Sequence, residues 1–496
     1  MNIIFRLISV TLLLSFFASA REISETPSLD EQPGYVTGVY YTEWSYFLNH
    51  TPSDLPLSFI TNIYYAFLKI DEETLDLHFA DNDLAVKNPL PFHTDKIGAF
   101  VSDQYFHSSI SDDWVSKYMQ NVSQLIQKST ISPINSIGLL GQLSQIKNLN
   151  PNVKISLSIG GAETAQVFKK VIKHRQNMVR FVDNIVSYTQ KYGFDGIDID
   201  WEYPDAASTD RLTDLMRLFR EKLDSLPSTS TCGKYILTLA LPSHLEMLNN
   251  YDMEDLPQYV TYFNLMGYDM SGIWSKKAEF QSQLFRDPNI DSDSCINDTI
   301  QYLLNEKHVN PRKIVLGMPA YGRTFNTGKI YGNADACAEL DGITQDEEEC
   351  IVPYNKLPPL GYTEIFDKRT GAAYASNGKD GVIVYDNMDS AKLKAQYVRG
   401  NKLAGGVWWD SSGDTTTSNG SKSLLLSFLE ELGGLINLKR SLCMVNSNLY
   451  YGKFENQTFD SSARSPSSSV SYATINEFKL WLLVLEFIVI SGVVFL

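Results

Sequence analysis

Short apolar runs rich in β-branched and aromatic residues alternate along this chain with stretches whose apolar residues recur every three or four positions. The runs are Tyr35–Tyr41, Ile60–Lys69, Val153–Ile159, Phe194–Glu202, Tyr235–Leu241, Tyr262–Tyr268, Lys313–Pro319 and Lys402–Trp409. Runs of this kind, separated by helical patterns, predict a parallel sheet covered by helices. The unit between the third and fourth is the clearest. There Met178, Phe181, Val182, Ile185 and Val186 share one face of an amphipathic helix, which Gly193 stops. Eight strands alternating with helices predict an α/β fold, a (β/α)8 TIM barrel with its active site at the C-terminal ends of the strands. Two stretches exceed a minimal barrel. Asp71 to Asn150 is too long and polar for one crossover and predicts loops plus a helix near Gln142. Thr324 to Asp380, with Tyr331 and the acidic run Asp346–Glu349, predicts a small α+β insertion between strands seven and eight.

The fourth run carries the chemistry. In Asp195-Gly-Ile-Asp-Ile-Asp-Trp-Glu-Tyr203, strand alternation turns Asp198, Asp200 and Glu202 to one side and Ile197, Ile199 and Trp201 to the other. Neighbouring acids then lie roughly 6.6 Å apart at Cα, close enough for each charge to raise the others' pKa. A carboxyl kept protonated near neutral pH is a general acid. A solvated outer strand face would also place acids this way, but the flanking Phe194, Trp201 and Tyr203 favour an enclosed site. Among the seven histidines none shows ligand spacing, so neither a metal nor another cofactor is expected.

The chain has 496 residues, 43% of them hydrophobic, and a formal net charge of −16. No basic stripe offsets the acids, which argues against a nucleic-acid partner and leaves an uncharged polymer open. Met1 to Ala20 reads as a signal peptide: Arg6, an apolar run from Leu7 to Phe17, then Ala18-Ser19-Ala20. The Asn-x-Ser/Thr triplets at Asn49, Asn121, Asn297, Asn419 and Asn456 fit the secretory route. A secreted protein, a monomer, is therefore expected. Of Cys232, Cys295, Cys337, Cys350 and Cys443, the pair Cys337 and Cys350 brackets the acidic loop and is the preferred bridge, buried free thiols being the alternative. Beyond the barrel, 433–479 reads as a Ser-rich stalk, densest over Asp460–Ser471. The tail 480–496 is apolar apart from Glu486 and a few small residues. Ser467-Ser468-Ser469, a polar spacer and this tail follow the layout of a glycolipid-anchor signal; a retained helix or a fortuitous apolar end are the alternatives.

Phe194-Asp-Gly-Ile-Asp-Ile-Asp-Trp-Glu-Tyr-Pro204 resembles the DxxDxDxE signature of the glycoside hydrolase family 18 chitinases. Further matches follow in order: Tyr40-Tyr-Thr-Glu-Trp44, Tyr65-Ala-Phe67, Ser158-Ile-Gly-Gly161, Met266-Gly-Tyr-Asp269, Leu316 to Phe325 and Gly405-Gly-Val-Trp-Trp-Asp410. The resemblance covers 34–432, in the style of fungal secreted members, and implies a barrel with an insertion domain. It also implies roles. Glu202 would protonate the glycosidic oxygen, Asp200 would orient the substrate's N-acetyl group, Asp198 would share a proton with Asp200, and Asp195 would support the start of the strand. Tyr268 would hydrogen-bond the acetyl oxygen. Met266, Asp269, Tyr40 and Arg323 would line the same subsite, with Phe67, Gly160, Gly161 and Tyr203 beside them and Trp409 as its floor. The implied chemistry is a retaining hydrolysis in which the substrate's own acetamido oxygen attacks C1. The chain departs from many members where Ala162 and Glu163 follow the glycine pair and where Gly267 precedes Tyr268, which bears on a distal sugar subsite. The expected activity is endo-cleavage of chitin. An endo-β-N-acetylglucosaminidase acting on glycoprotein glycans and a non-catalytic chitin-binding wall protein are the alternatives.

Overall fold

A computed structural model describes residues 34–93, 135–287 and 294–439, apart from 151, 163, 227–233, 344, 347 and 416–421. Within it eight strands form a closed parallel barrel: β1 Val36–Thr42, β2 Asn62–Ile70, β3 Lys154–Gly161, β4 Gly196–Trp201, β5 Ile236–Pro242, β6 Tyr262–Met266, β7 Ile314–Pro319 and β8 Gly405–Trp409. Closure is direct, since β1 pairs in parallel with β2 on one side and with β8 on the other. The predicted runs match these strands to within a few residues. Glu202 itself lies one residue past the end of β4.

Alternation explains the register. Ile197, Ile199 and Trp201 join Leu237, Leu239, Phe263, Leu265 and Leu316 in one large apolar layer, which includes the helix residues Phe181, Ile185, Leu215 and Phe219. The opposite faces form a much smaller cluster of Val36, Tyr40, Tyr64, Ala66, Phe67, Tyr262, Val315 and Val407, with Trp409 against it. Asp198 and Asp200 belong to this inner side. The predicted amphipathic helix is Arg175–Tyr192, with all five predicted residues buried, and Gly193 closes it at φ 73°, a left-handed conformation that glycine adopts without strain.

Between Asp71 and Asn150 the described residues hold an edge strand, Leu77–Phe79, antiparallel to β2, a short helix Asn82–Val86 and the helix Gly138–Leu149 around Gln142. The segment between β7 and β8 differs from expectation. It forms a five-stranded antiparallel sheet in the order Ile351–Pro353, Tyr321–Phe325, Val382–Tyr385, Ala372–Ser376, Thr363–Asp367. Its strands reach from Tyr321 to Tyr385, wider than 324–380, and the helical structure described inside it is the 3-10 turn Tyr354–Lys356. At the acidic run Asp346 Oδ1 accepts the Glu348 and Glu349 amides, and Glu348 and Glu349 lie in a turn. Such a carboxylate turn accounts for Asp346, and Glu349 pairs with Arg323. Cys337 and Cys350 form a disulfide across this region, and Cys295 is a buried free thiol.

Asn49 is exposed at the end of a 3-10 turn, whereas the Asn297 side chain is taken up by Tyr397 and Asp298, which does not suit a glycan acceptor. The signal-peptide segment, the stalk, the tail, Asn121, Asn419, Asn456, Cys232 and Cys443 lie outside the described residues. Among those described, no helix is long and apolar enough to cross a membrane.

Candidate active site

The acids occupy the barrel axis because three neighbouring strands bring small polar residues into register around them. Ser158 of β3 lies directly beside Asp198 of β4, which lies beside Thr238 of β5. Both hydroxyls donate to its carboxylate, Ser158 at 2.7 Å and Thr238 at 2.5 Å. Tyr40 Oη adds a third bond at 3.0 Å and Asn264 Nδ2 a fourth at 3.2 Å. Burial pushes the Asp198 carboxyl above its usual range while these four donors pull it back. Four donors match an ionised carboxylate, because a protonated one would turn one acceptor position into a donor facing another donor. None of the four is Asp200, so the two aspartates meet through their charges and not through a direct hydrogen bond.

Asp200 has the opposite environment. It is buried, and its Oδ1 has no hydrogen-bond partner. Burial, then the charges of Glu202 and Asp198, raise its pKa well above the ordinary carboxylate value, with Lys69 opposing. Glu202, at the mouth, is pushed by burial up to about 7, with Asp269 adding to the shift and a hydrogen bond with Tyr203 opposing it. The three acids therefore differ in their surroundings: Asp198 is held by four donors, Asp200 has an oxygen without a partner and a pKa well above the ordinary carboxylate value, and Glu202 is raised to about 7.

The mouth is aromatic. Trp409, at the end of β8, stacks on Phe67 with centroids 5.6 Å apart and lies 5.2 Å from Tyr40. Two glycines at the end of β3 make room. A Cβ on Gly161 would stand 2.6 Å from the Phe67 ring, and one on Gly160 only 1.9 Å from the Asp200 carbonyl oxygen, and both residues have positive φ. Tyr268 faces Asp200, Glu202, Asp269 and Tyr203, with its ring edge-on to Tyr321. Met266 ends β6, half-buried.

Three residues assigned from the sequence lie away from the acids or serve each other. Asp195 stands at the opposite end of β4, where it accepts the Ile155 amide at 2.8 Å and pairs with Lys147. Arg323 turns its guanidinium to Asp269 at 2.7 Å and to the Glu349 backbone carbonyl at 2.8 Å, and lies over the Trp274 ring. Asp269 is thereby committed, since Tyr321 Oη also donates to it at 2.5 Å. Sequence reasoning did not single out Thr238 or Asn264, nor Tyr251, whose buried, unpartnered hydroxyl feels the charges of Asp200 and Glu202. It gave no role to Trp44, quoted only as the end of a motif, and passed over Trp274; both rings are half-exposed, and that of Trp44 lies beside Phe67 and Trp409. Period-two alternation marks Thr238 and Asn264 as inward-facing; Tyr251 sits in a loop and carries no such signal. No cluster of metal-ligating side chains occurs among the described residues.

Residues 36–414 match the family described as glycosyl hydrolases family 18. Sporulation-specific chitinase 2 of Saccharomyces cerevisiae is 33% identical over 438 residues, covering 82% of this chain and 80% of the yeast protein. Endochitinase 1 of Metarhizium robertsii is 29% identical over 412 residues, covering 81% of this chain and 86% of that protein. A crystal structure of an immunomodulatory chitinase from Trichuris suis shares the fold with a TM-score of 0.62 at 22% identity, covering 81% of this chain and all of that one. The barrel, the acid series on β4 and the span of the family match together place the chain in glycosyl hydrolase family 18, as a glycoside hydrolase.

Proposed function

We propose that this protein is an endo-acting chitinase that hydrolyses β-1,4 bonds between N-acetylglucosamine units with retention of configuration and with assistance from the substrate's acetamido group. The observation that carries the reading is the division of labour among the acids. A retaining enzyme with two working carboxylates needs a free nucleophilic one about 5–5.5 Å from the acid. Asp198 is held by four donors, Asp269 is bound to Arg323 and Tyr321, and burial raises the Asp200 pKa well above the ordinary carboxylate value, which disfavours its charged, nucleophilic form. Glu202 is left as the proton donor, and an acetamido oxygen of the substrate supplies the nucleophile. As positive charge develops at C1, the acetamido N–H becomes more acidic and Asp200 is placed to take its hydrogen bond, while Tyr268 donates to the acetyl group from the facing side. Departure of the glycosidic oxygen takes the Glu202 proton; water, activated by the same carboxylate, then opens the oxazolinium ion and returns it.

The relatives named chitinase support the substrate, and the exposed ring of Trp44 beside Trp409 suits a polymer that extends past the cleaved bond. The test is cleavage of a chitin hexamer followed by NMR of the newly formed ends. The β-anomer should appear first, internal bonds should be cut, and fully deacetylated oligomers should survive. Initial α-anomer, or equal cleavage of deacetylated chains, overturns the mechanism. Exclusive cleavage of high-mannose glycoprotein would favour the endo-β-N-acetylglucosaminidase reading. From the sequence alone we also propose secretion and a glycolipid anchor near Ser467–Ser469. Membrane-bound protein that resists phospholipase and retains peptides from Leu480 to Leu496 refutes the anchor.

A further inference from the structure

β1 leaves the barrel at Thr42 and passes directly into a 3-10 turn, Glu43–Leu48, which carries Trp44. Trp44 is 41% exposed, yet its ring lies 6.2 Å from Trp409 and 6.3 Å from Phe67, so it continues the aromatic wall outward. A bare turn could not hold a half-exposed indole in that place, because the surface it covers is shared with solvent. Two anchors grip the turn instead. On one flank Thr42 Oγ1 donates to Asp410 Oδ2 at 3.3 Å and the Ser411 amide donates to the Tyr40 carbonyl at 2.9 Å, which ties the turn to the loop that follows Trp409. On the other flank is Glu43.

Glu43 is an acid in an unfavourable place. It is 2% exposed, its Oε1 accepts the Asp81 amide at 2.7 Å, and its Oε2 is enclosed without a hydrogen-bond partner. Burial pushes its carboxyl up to about 7 against the pull of the Asp81 and Ala80 backbone, with the Tyr65 hydroxyl beside it. A buried carboxyl costs more than a neutral amide able to accept the same bond. Its bond joins the turn to the segment where Asp81 caps the helix Asn82–Val86 through the Asp83 and Leu84 amides. The excursion after β2 is thereby linked to the residue next to Trp44.

We propose that Glu43 is a positioning residue of the sugar groove, fixing through its bond to Asp81 the turn that presents Trp44 to sugars beyond the bond being cleaved. The proposal rests on the reading of the groove as a chitin site. It is tested with Glu43→Ala, Trp44→Ala and the double variant, assayed on chitin hexamer and on a short aryl chitobioside. Glu43→Ala should raise KM for the hexamer about fivefold while kcat changes less than about twofold, the scale of a lost stacking contact. The double variant should be no worse than Trp44→Ala alone, because the two residues act through one contact. Glu43→Gln, which keeps an acceptor for the Asp81 amide, should restore KM to within about twofold of the parent by the same measure. Should Glu43→Ala fail to fold, Glu43→Asp, whose carboxyl is withdrawn by one methylene, takes its place in the cycle. Additive losses, or an equal rise in KM for the aryl chitobioside, overturn the positioning role. An unmodified protein that cleaves neither substrate overturns the reading of the groove itself, and with it this proposal.

Discussion

The two faces of β4 lie less than one side chain apart and obey opposite rules. Outward, Ile197, Ile199 and Trp201 are fully buried among helix residues, with Trp201 stacked on Phe168 at 5.2 Å. Inward, the same strand buries Asp198 and Asp200 among hydroxyls, an amide and each other's charges. The consecutive tryptophans of β8 repeat the contrast. Trp408 points outward, edge-on to Phe428 at 5.1 Å, whereas Trp409 points to the mouth and stacks on Phe67. Burial is thus equal on both faces, and only one face is arranged for stability. Apolar atoms on the outer face gain from leaving water, while acids on the inner face lose from it and remain because their displaced pKa values serve a reaction.

The largest effect that would sharpen this contrast comes from Glu202→Gln. The amide keeps the shape but cannot donate a proton, so kcat should fall about 10² to 10⁴-fold, the usual share of general acid catalysis. Folding should not suffer. In the native state the Glu202 carboxyl titrates at about 7, above its ordinary value of 4.5. The folded protein therefore holds a proton that the unfolded chain releases, and its stability declines as pH rises from 4.5 to about 7. Glu202→Gln should remove that decline, raising Tm more at pH 7 than at pH 4. The parent's rate, which needs the protonated acid, should be lost above about pH 7. A variant with normal turnover breaks the assignment of the inner face.

The outer face should respond in the other coordinate. Ile199→Ala removes a fully buried side chain from the helix-covered layer and should cost about 2–5 kcal/mol of stability by urea denaturation. Measured below its unfolding temperature, the variant should keep kcat within a fewfold. A large loss of kcat in folded Ile199→Ala would show that the faces are not separable.

The contrast was partly legible in the sequence, and unevenly so. Period-two alternation around Asp198, Asp200 and Glu202 gave the two faces of β4, and the eight strand runs gave the barrel. What the sequence could not supply was register between strands. Ser158, Thr238 and Asn264 become donors to Asp198 only when β3 and β5 align on either side of β4 and β6 aligns beyond β5, and each alone is an ordinary inward residue of a strand. The insertion lies where it was expected, but its bounds were drawn short for a similar reason. Tyr321–Phe325 continues straight from β7, so its sequence reads as one strand, yet it pairs antiparallel with Val382–Tyr385 and belongs to the second sheet. Arg323 resembled a sugar contact by motif, but its burial against Asp269 and Glu349 makes it a brace between the mouth and that sheet.

Thr238→Val tests whether the donors keep Asp198 charged. The substitution preserves shape and removes the 2.5 Å bond. Hydrogen bonds to charged groups contribute about 1.5–3 kcal/mol, which sets the expected loss of stability near neutral pH. The sign with pH follows from the carboxyl. Asp198 already titrates above its ordinary value through burial, and losing a donor raises it further, so the folded state resists ionisation more strongly. The penalty should be greater at pH 7 than well below pH 3.8, the ordinary value, where the aspartate is protonated in both states. A loss independent of pH would mean that Thr238 only fills space.

The smallest effect separates the two tryptophans. Trp409→Ala removes a stacking surface at the mouth without touching an acid or the outer layer, and aromatic stacking of this kind contributes about 0.5–1.5 kcal/mol. Weakened binding of chitin oligomers by up to about tenfold is expected, read as a rise in KM with a smaller loss of kcat and little change in Tm. Its neighbour gives the control. Trp408→Ala opens a cavity between β8 and the helix carrying Phe428, and should cost about 3–5 kcal/mol of stability while leaving KM near the parent value in whatever fraction remains folded. The pair differs by one position in sequence, so any difference between them comes from the face each presents. If Trp409→Ala lowered Tm as far as Trp408→Ala and left KM unchanged, Trp409 would be a packing residue and the mouth would have no floor at that position.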